Sequence, residues 1–447
     1  MIARQYYTTT LKRTPANSIN LLLLMAIAFS PLLSYFIVTF TSVKSGTYVF
    51  NMLIAATVVV LILEAHKNGG LRFPFYLRYL GIFALYTIFS DLFLANKSFT
   101  FTYLFKNQVL FGFLAALVIE NTWFSKPYMK KLTSYLKILF WLSVVVILIQ
   151  QTIDYNFLLN PHSLEEVEAT EEMERRFSSI YSYLGGTIYA GLTVVPILSI
   201  IIAENIKRNK PAMVYYVAGA IFSLINKSRW ILINLFITLF TKFTLRKTSL
   251  VQIFRLVLMI VVVSFATSWV LSYFGFNIDE LVAERLLETK HGGLKEGAAS
   301  TRLLAFEIFG KVYPDNPVLG KGNLSWGEGA TGDKELTALL KGRSSQIHVG
   351  YLSLFYWYGM LGTLPFIFFL WCLMKKLHNT AKRLDYWGPY WGMMGFIVAN
   401  LTLVHLNMNI PGLLICLAYN KYYEQYKVVQ KTEEAPETPL TVPQYEV

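Results

Sequence analysis

Long apolar runs are the feature that most constrains how this chain folds. Stretches of about 20 apolar residues, the length that a helix needs to cross a bilayer core about 30 Å thick, recur along the chain between short polar loops. Charged residues make up only 15% of the sequence, whereas soluble proteins carry roughly a quarter. This composition excludes an ordinary soluble enzyme and a disordered chain. The sequence therefore predicts an all-α polytopic membrane protein.

The predicted fold has about twelve transmembrane helices. The spans are 19–40, 48–65, 75–95, 103–120, 132–151, 184–203, 211–225, 230–241, 250–274, 349–374, 390–403 and 408–419. The first span lacks a small-residue cleavage site and is longer than the apolar core of a signal peptide, so we expect it to remain as an anchor.

Basic residues predict the orientation of these spans. With a cytoplasmic N-terminus, more than half of the 40 Lys and Arg residues fall on cytoplasmic loops, as the positive-inside rule requires. Both termini are then cytoplasmic, and the net charge of +13 reflects topology rather than nucleic-acid binding. Two long loops, 153–183 and 275–347, lie outside, and the second is expected to be a partly helical loop before the tenth span. Residues 1–427 form the membrane domain, and the Pro- and Glu-containing segment 428–447 is predicted to be a disordered cytoplasmic tail.

Ionisable residues stand at the rim of the membrane at four places on the predicted outer side, where such residues are costly and tend to be functional. Arg175 and Arg176 precede the sixth span, and Arg229 lies in the turn after the seventh. Arg302 falls in the first turn of an external helix predicted over 301–313, where the helix dipole disfavours a cation unless an anion is near. His348 begins the tenth span, where a helix N-terminus favours the neutral imidazole that a general base needs.

Each of these residues also has a purely structural interpretation. Arg175 and Arg176 can pair with the acidic run at 165–174, Arg229 can reach lipid phosphates from the helix end, and His348 can cap its helix. The residues alone leave both interpretations open. The two cysteines lie in apolar runs, so neither a disulfide framework nor a metal site is expected.

The motifs that contain these residues follow one another in a characteristic order. They are an arginine before a small-residue-rich span (Arg176, then 182–192), a Ser-Arg turn (Ser228-Arg229), an arginine opening an external helix (Arg302), a turn at 317–322, and a histidine followed by glycine steps (His348, Gly350, Gly359, Gly362). In this order they resemble the superfamily of O-antigen ligases and O-antigen polymerases, which are bacterial envelope glycosyltransferases. The resemblance covers residues 175–370. Asparagine often follows the histidine in that family, whereas this chain has Val349.

The resemblance implies a reaction on the periplasmic side of the bacterial inner membrane. The donor is a glycan linked to polyprenyl pyrophosphate, and the acceptor is lipid A-core or another lipid-linked glycan. Arg176 or its neighbour Arg175, together with Arg229 and Arg302, stabilises the leaving pyrophosphate, while His348 deprotonates or orients the acceptor hydroxyl. No metal or other cofactor is required, since the arginines supply the positive charge. Trp326 and Tyr313 are candidates for stacking on sugar rings.

Several functions remain open at this point. A ligase transfers a finished chain to lipid A-core, a polymerase joins lipid-linked repeat units, and a third variant glycosylates protein hydroxyls; the sequence favours the ligase slightly. A twelve-helix transporter or lipid-linked glycan flippase is the alternative from another class. Transporters often consist of two related halves with ionisable residues near the membrane midplane, whereas this sequence shows no internal repeat and its notable charges share one predicted side.

Overall fold

The computed structural model describes most of the predicted membrane domain. The described residues are 47–68, 70–153, 157, 187–225, 229–244, 250–275, 298–324, 331–340, 347, 349–400 and 410–433. The first predicted span, the acidic run at 165–174 and residues 434–447 of the predicted tail lie outside them.

Every regular element in the described residues is helical, which confirms the all-α prediction. Fourteen α-helices are described. They are α1 (Thr47–Asn68), α2 (Phe75–Phe89), α3 (Phe101–Lys106), α4 (Gln108–Glu120), α5 (Lys126–Thr152), α6 (Thr187–Lys207), α7 (Met213–Ile225), α8 (Arg229–Thr244), α9 (Leu250–Tyr273), α10 (Ala298–Val312), α11 (Lys334–Leu339), α12 (Gly350–Leu384), α13 (Gly388–Ala399) and α14 (Ile410–Glu433). A π-helical turn, Ser90–Leu94, continues α2.

Three described helical segments are long and apolar enough to cross a membrane: Phe75–Leu94, Lys126–Gln150 and Gly350–Leu384. Shorter apolar helices accompany them, including Met213–Ile225 within the predicted seventh span. Large apolar side chains face outwards on α9, where Phe265 is 73% exposed. Soluble monomers rarely expose large contiguous apolar patches, so this surface suits contact with lipid. The helices thus support a membrane protein, while the number of twelve spans and their sidedness stay predictions.

Two predicted boundaries differ from the structure. The span expected at 103–120 is two helices, α3 and α4, because Asn107 adopts an extended conformation and its side chain accepts a hydrogen bond from the Leu110 N–H (2.9 Å). This is an N-cap, and apolar content alone does not reveal it. At the other end of the chain, α14 runs to Glu433, past the predicted limit of the membrane domain at residue 427; the disordered tail itself stays a prediction.

Small residues set the closest helix packing in the described bundle. α13 packs against α6, and its residues Gly388 and Gly392 leave no room for a side chain. A Cβ on Gly388 would lie 2.9 Å from the Cβ of Ala203, and one on Gly392 would lie 3.0 Å from the Cα of Pro196. Close backbone approach of this kind gives membrane helices most of their packing attraction.

The bundle has two polar ends, which the pairing of α2 with α12 defines. These helices are antiparallel, since Tyr76 near the start of α2 contacts Phe369, while Phe83 further along contacts Tyr358. We call the end where α2 begins and α12 ends the basic end, and the end where α2 finishes the kink end. Fifteen residues of helix from Tyr76 to Asp91 correspond to a rise of about 22 Å. The two ends are thus separated by most of a bilayer core.

Candidate functional site at the broken helix

The helix α12 is broken near the kink end, at Gly359. This residue has φ 56° and ψ −165°, a conformation that only glycine adopts readily. In a continuous helix the N–H groups of Met360 and Leu361 would bond to the carbonyls of Tyr356 and Trp357. The break therefore releases two donors and two acceptors inside the protein. Buried backbone groups of this kind need other partners, above all in a membrane.

The segment 317–322, here called the strap, supplies all four partners. The N–H groups of Lys321 and Gly322 donate to the carbonyls of Tyr356 and Trp357, both at 2.9 Å. In return, the N–H groups of Met360 and Leu361 donate to the carbonyls of Pro317 and Val318, at 2.9 and 3.0 Å. The strap thus completes the backbone pairing of the broken helix. Two parts of the motif region that are distant in sequence form one unit.

Glycines allow the strap to approach the helix so closely. Gly320 has φ 78°, and a Cβ there would lie 2.5 Å from the carbonyl oxygen of Trp357. Gly322 has φ 84°, and a Cβ there would lie 2.7 Å from the backbone nitrogen of Ala95, which follows the π-helical turn. The turn predicted after Pro317 is present, with the Gly320 N–H donating to the Asn316 carbonyl (2.9 Å). Its glycines serve packing as well as the turn.

Two tyrosine hydroxyls hold the strap from either side. Tyr86 of α2 donates to the carbonyl of Leu319 (2.7 Å), and Tyr313 donates to the carbonyl of Pro317 (3.0 Å). The ring of Tyr313 stacks on Phe309 with centroids 4.7 Å apart and meets Phe355 edge-on. Tyr313, a candidate for stacking on a sugar, thus has two aromatic partners in the protein and a hydroxyl that fixes the strap, and its contact with a sugar stays a prediction.

A buried ion pair lies under the strap at the kink end. Lys97 follows the π-helical turn, and its Nζ lies 3.3 Å from Oδ1 of Asp91; the two residues are 6% and 8% exposed. The Tyr103 hydroxyl donates to the other oxygen of Asp91 (3.1 Å). Burial lowers the pKa of Lys97, and the Asp91 carboxylate partly restores it. The sequence predicts no such pair, since its only signals are an aspartate within the third predicted span and a lysine six positions later.

A second polar group joins the strap to α11. Asp333 caps α11 by accepting from the Leu336 N–H (3.0 Å), and it accepts the Tyr356 hydroxyl at 2.6 Å. Lys321 of the strap forms an ion pair with Glu335 and lies 3.9 Å from Asp333. Because two carboxylates of the α11 region compensate Lys321, this lysine links the strap to α11.

We expect replacement of Lys97 by methionine to lower the free energy of unfolding by about 2–3 kcal/mol, because a buried carboxylate loses its counter-ion. Titration with sodium dodecyl sulfate in mixed micelles measures this quantity. The double variant Lys97→Met/Asp91→Leu should recover most of the loss, and Lys311→Met, which removes an exposed lysine paired with Glu307, should cost under about 1 kcal/mol. Additive losses in the double variant would show that Lys97 and Asp91 are not coupled.

The five predicted site residues occupy positions that the structure describes only in part. Arg175, Arg176 and His348 lie outside the described residues. Arg229 is the first residue of α8 and Arg302 belongs to α10. The side chains of both residues lie outside the part of the chain that the structure describes. The backbone corrects one expectation: α10 begins at Ala298, so position 302 lies in the second turn of its helix and not in the first.

Position 348 directly precedes the described start of α12. Val349 is the N-cap residue and Gly350 the first helical residue, in agreement with a histidine at the beginning of the tenth span. The first segment of α12, from Gly350 to Tyr358, rises about 12 Å from this position to the break. The strap therefore fixes the helix segment that follows the proposed base.

The basic end contains another buried carboxylate that the sequence analysis missed. Glu120 at the end of α4 is 3% exposed and accepts from the hydroxyl of Tyr76 and from Nζ of Lys376, both at 2.5 Å. Nζ of Lys421 lies 3.4 Å from its second oxygen. The predicted topology places the ends of three spans on the cytoplasmic side here, and the structure brings these ends together. The contact between Glu120 and the two lysines depends on how the helices pack, so it is visible only in the tertiary structure.

Comparisons of the sequence with protein-family models and with curated proteins find no match. Among the described residues, no three His, Cys, Asp or Glu side chains are grouped so that they could hold a metal ion.

Proposed function

We propose that this chain is a membrane glycosyltransferase that transfers a glycan from a polyprenyl-pyrophosphate carrier to an acceptor hydroxyl. In its most specific form the proposal is an O-antigen ligase, with lipid A-core as acceptor, working on the periplasmic side of the bacterial inner membrane. The observation that carries the proposal is the strap on the broken helix. It joins segment 317–322 to segment 350–361, two parts of the motif set on which the resemblance to ligases and polymerases rests.

The proposed reaction is a direct displacement at the anomeric carbon. The acceptor oxygen forms a bond to this carbon as the bond to the pyrophosphate oxygen breaks, and His348 receives the hydroxyl proton. Arg176, Arg229 and Arg302, with Arg175 beside them, balance the negative charge that develops on the leaving pyrophosphate. Fixed positive groups at such a place are often the largest contribution to rate. The strap supports this arrangement by holding the helix segment that follows position 348.

A polymerase of lipid-linked repeat units is the nearest alternative within the same class. It would use the same donor and the same leaving group, and only the acceptor would differ. The described residues include no acceptor site that separates the two reactions, so the choice depends on the product formed.

A transporter or flippase is the alternative from another class, and the broken helix α12 is the observation that favours it. Discontinuous helices often form the substrate sites of transporters, where their free backbone groups bind the cargo. Here the strap already pairs those backbone groups. The buried ion pair Asp91–Lys97 and the buried Glu120 also lie at opposite ends of α2 and not near its middle. Both observations weigh against transport.

The test compares wild type with His348→Ala and Arg302→Ala, purified in detergent and supplied with polyprenyl-pyrophosphate glycan and lipid A-core in EDTA. We expect metal-independent glycosylation of the core by the wild type. The His348 variant should lose about 10²–10⁴-fold in rate and the Arg302 variant about 10²–10³-fold, measured from labelled products on a gel.

His378→Ala is the matched control, because this histidine packs against Trp387 and Tyr390 near the basic end, far from position 348. We expect the His378→Ala variant to keep the transfer activity of the wild type. Lengthened lipid-linked glycan without modified core would indicate the polymerase. Full activity of His348→Ala and Arg302→Ala would show that the proposed site is wrong. Absence of any transfer, together with glycolipid flux in liposomes, would establish the transporter.

A further inference from the structure

A basic cleft lies near the basic end, far from the strap. It has a volume of about 690 Å³ and is formed where the start of α5 and the ends of α6 and α12 meet α14. Five cationic side chains line it: Lys126, Lys130, Lys207, Arg208 and Arg383. The positive-inside rule explains why these residues lie on one side of the membrane. It does not explain why residues from the ends of three separate helices converge on one concavity.

One buried carboxylate faces these cations, and it is already engaged. Glu204 is 2% exposed; its Oε1 accepts from the Tyr423 hydroxyl (2.6 Å), and its Oε2 lies 2.8 Å from Nη2 of Arg208. Asp385 adds negative charge near Lys207. Among its lining residues the cleft thus has five cationic side chains and one carboxylate. The attraction of this charge for an anion is screened by salt, with a Debye length of about 8 Å at physiological ionic strength.

The walls of the cleft are partly apolar and aromatic. Met129, Leu384, Tyr422 and Tyr423 contribute to them, and Nζ of Lys207 lies 4.2 Å from the centroid of the Tyr423 ring. Cations held against such walls have less water around them than cations on an open surface, which strengthens their attraction for an anion. Apolar walls beside cationic groups suit a ligand with a charged head and a less polar body.

We propose that this cleft binds the phosphate group of an anionic ligand, with the head group of an anionic membrane lipid as the occupant that its walls and its place at the end of the bundle favour. Basic pockets between transmembrane helices on the cytoplasmic side are suited to such head groups. Lys130 on α5 and Lys207 on α6 both line the cleft, and Nζ of Lys207 also lies 3.5 Å from the Leu384 carbonyl oxygen; in the proposal the two ammonium groups contact the phosphate together. The site lies at the opposite end of the bundle from the proposed transfer reaction and does not depend on it.

Binding of phosphatidylglycerol to the delipidated full-length protein tests this proposal, with phosphatidylcholine as the zwitterionic comparison. Native mass spectrometry over a lipid titration gives the affinities. The decisive variant is Lys130→Gln/Lys207→Gln. One interfacial lysine contributes about 1 kcal/mol, so each substitution should weaken binding roughly fivefold and the pair roughly thirtyfold. Higher salt should also weaken binding by the wild type.

Lys131→Gln/Lys210→Gln is the matched control, since it removes the same charge from neighbouring exposed lysines outside the cleft and should leave affinity within about twofold. Lys130→Arg/Lys207→Arg should retain binding and so separates loss of charge from misfolding.

Calorimetry with glycerol 3-phosphate and pyrophosphate distinguishes a free phosphate compound from a lipid. Binding of these probes alone, weakened by the Lys130→Gln/Lys207→Gln substitutions, would assign the cleft to a soluble ligand. Equal weakening by both double variants, or no preference for phosphatidylglycerol, would overturn the proposal.

Discussion

Replacing Gly320 by alanine is expected to lower the free energy of unfolding by on the order of 4 kcal/mol. The new Cβ would lie 2.5 Å from the Trp357 carbonyl oxygen, closer than such atoms approach, so the strap must move away from α12. Its movement weakens the four backbone hydrogen bonds between the strap and α12, each of which contributes about 1 kcal/mol; of the two freed carbonyls, that of Trp357 keeps a contact of 3.4 Å with the Ser90 hydroxyl. Unfolding in mixed micelles measures the loss. Transfer activity should fall with it if the strap positions the site.

Two other glycines serve as controls that distinguish the effect of the steric contact at Gly320 from the effect of its left-handed backbone conformation. Gly332 has φ 77°, nearly the same as Gly320, but nothing lies within 4 Å of a Cβ placed there; Gly332→Ala should cost only about 1–2 kcal/mol. Gly310 lies within α10 with open space around it, so Gly310→Ala should stabilise by about 0.5–1 kcal/mol. If Gly320→Ala and Gly332→Ala had equal effects, the strap would not be packed against α12 as described.

Apolar length predicted most helices but not how they are interrupted. The described helices α2, α5 and α9 lie close to the predicted spans 75–95, 132–151 and 250–274, because about 20 apolar residues at helical rise match a bilayer core. The break at Gly359 was not predicted, since glycine also occurs inside continuous membrane helices. Its partner, the strap, is some 40 residues earlier in the chain, and no local pattern identifies a pairing over that distance.

For the charged residues, too, the sequence predicts the side of the membrane on which they lie but not their partners. Charge distribution placed Lys376 and Lys421 on one side of the membrane, and this agrees with their meeting at Glu120. Which lysine pairs with which carboxylate depends on how α4, α12 and α14 pack, and the sequence does not encode this locally. The pair Asp91–Lys97 was missed because hydropathy treats a single charge in an apolar span as a minor interruption. The side chains of the five predicted site residues lie outside the described part, so their roles stay predictions.

Glu120→Gln is expected to lower the free energy of unfolding by about 3–5 kcal/mol, because it leaves buried cations without their counter-ion. The glutamine keeps the shape of the side chain and one acceptor oxygen for Tyr76, so the loss reports the missing charge. Lys421, which is 5% exposed, is affected most, since it gains little compensation from water. The measurement is again unfolding in mixed micelles, at a fixed protein-to-detergent ratio.

A double variant identifies the cause of that loss. Lys421→Met removes the more deeply buried cation, so Glu120→Gln/Lys421→Met should be less destabilised than the sum of its single variants, by a coupling energy of roughly 1–3 kcal/mol. Glu307→Gln is the control for charge removal, because the carboxylate of Glu307 and the ammonium of Lys311 pair on the surface and are 61% and 64% exposed; it should cost at most about 1 kcal/mol. Equal losses for Glu120→Gln and Glu307→Gln would mean that the three helix ends are held together by apolar packing and not by this carboxylate.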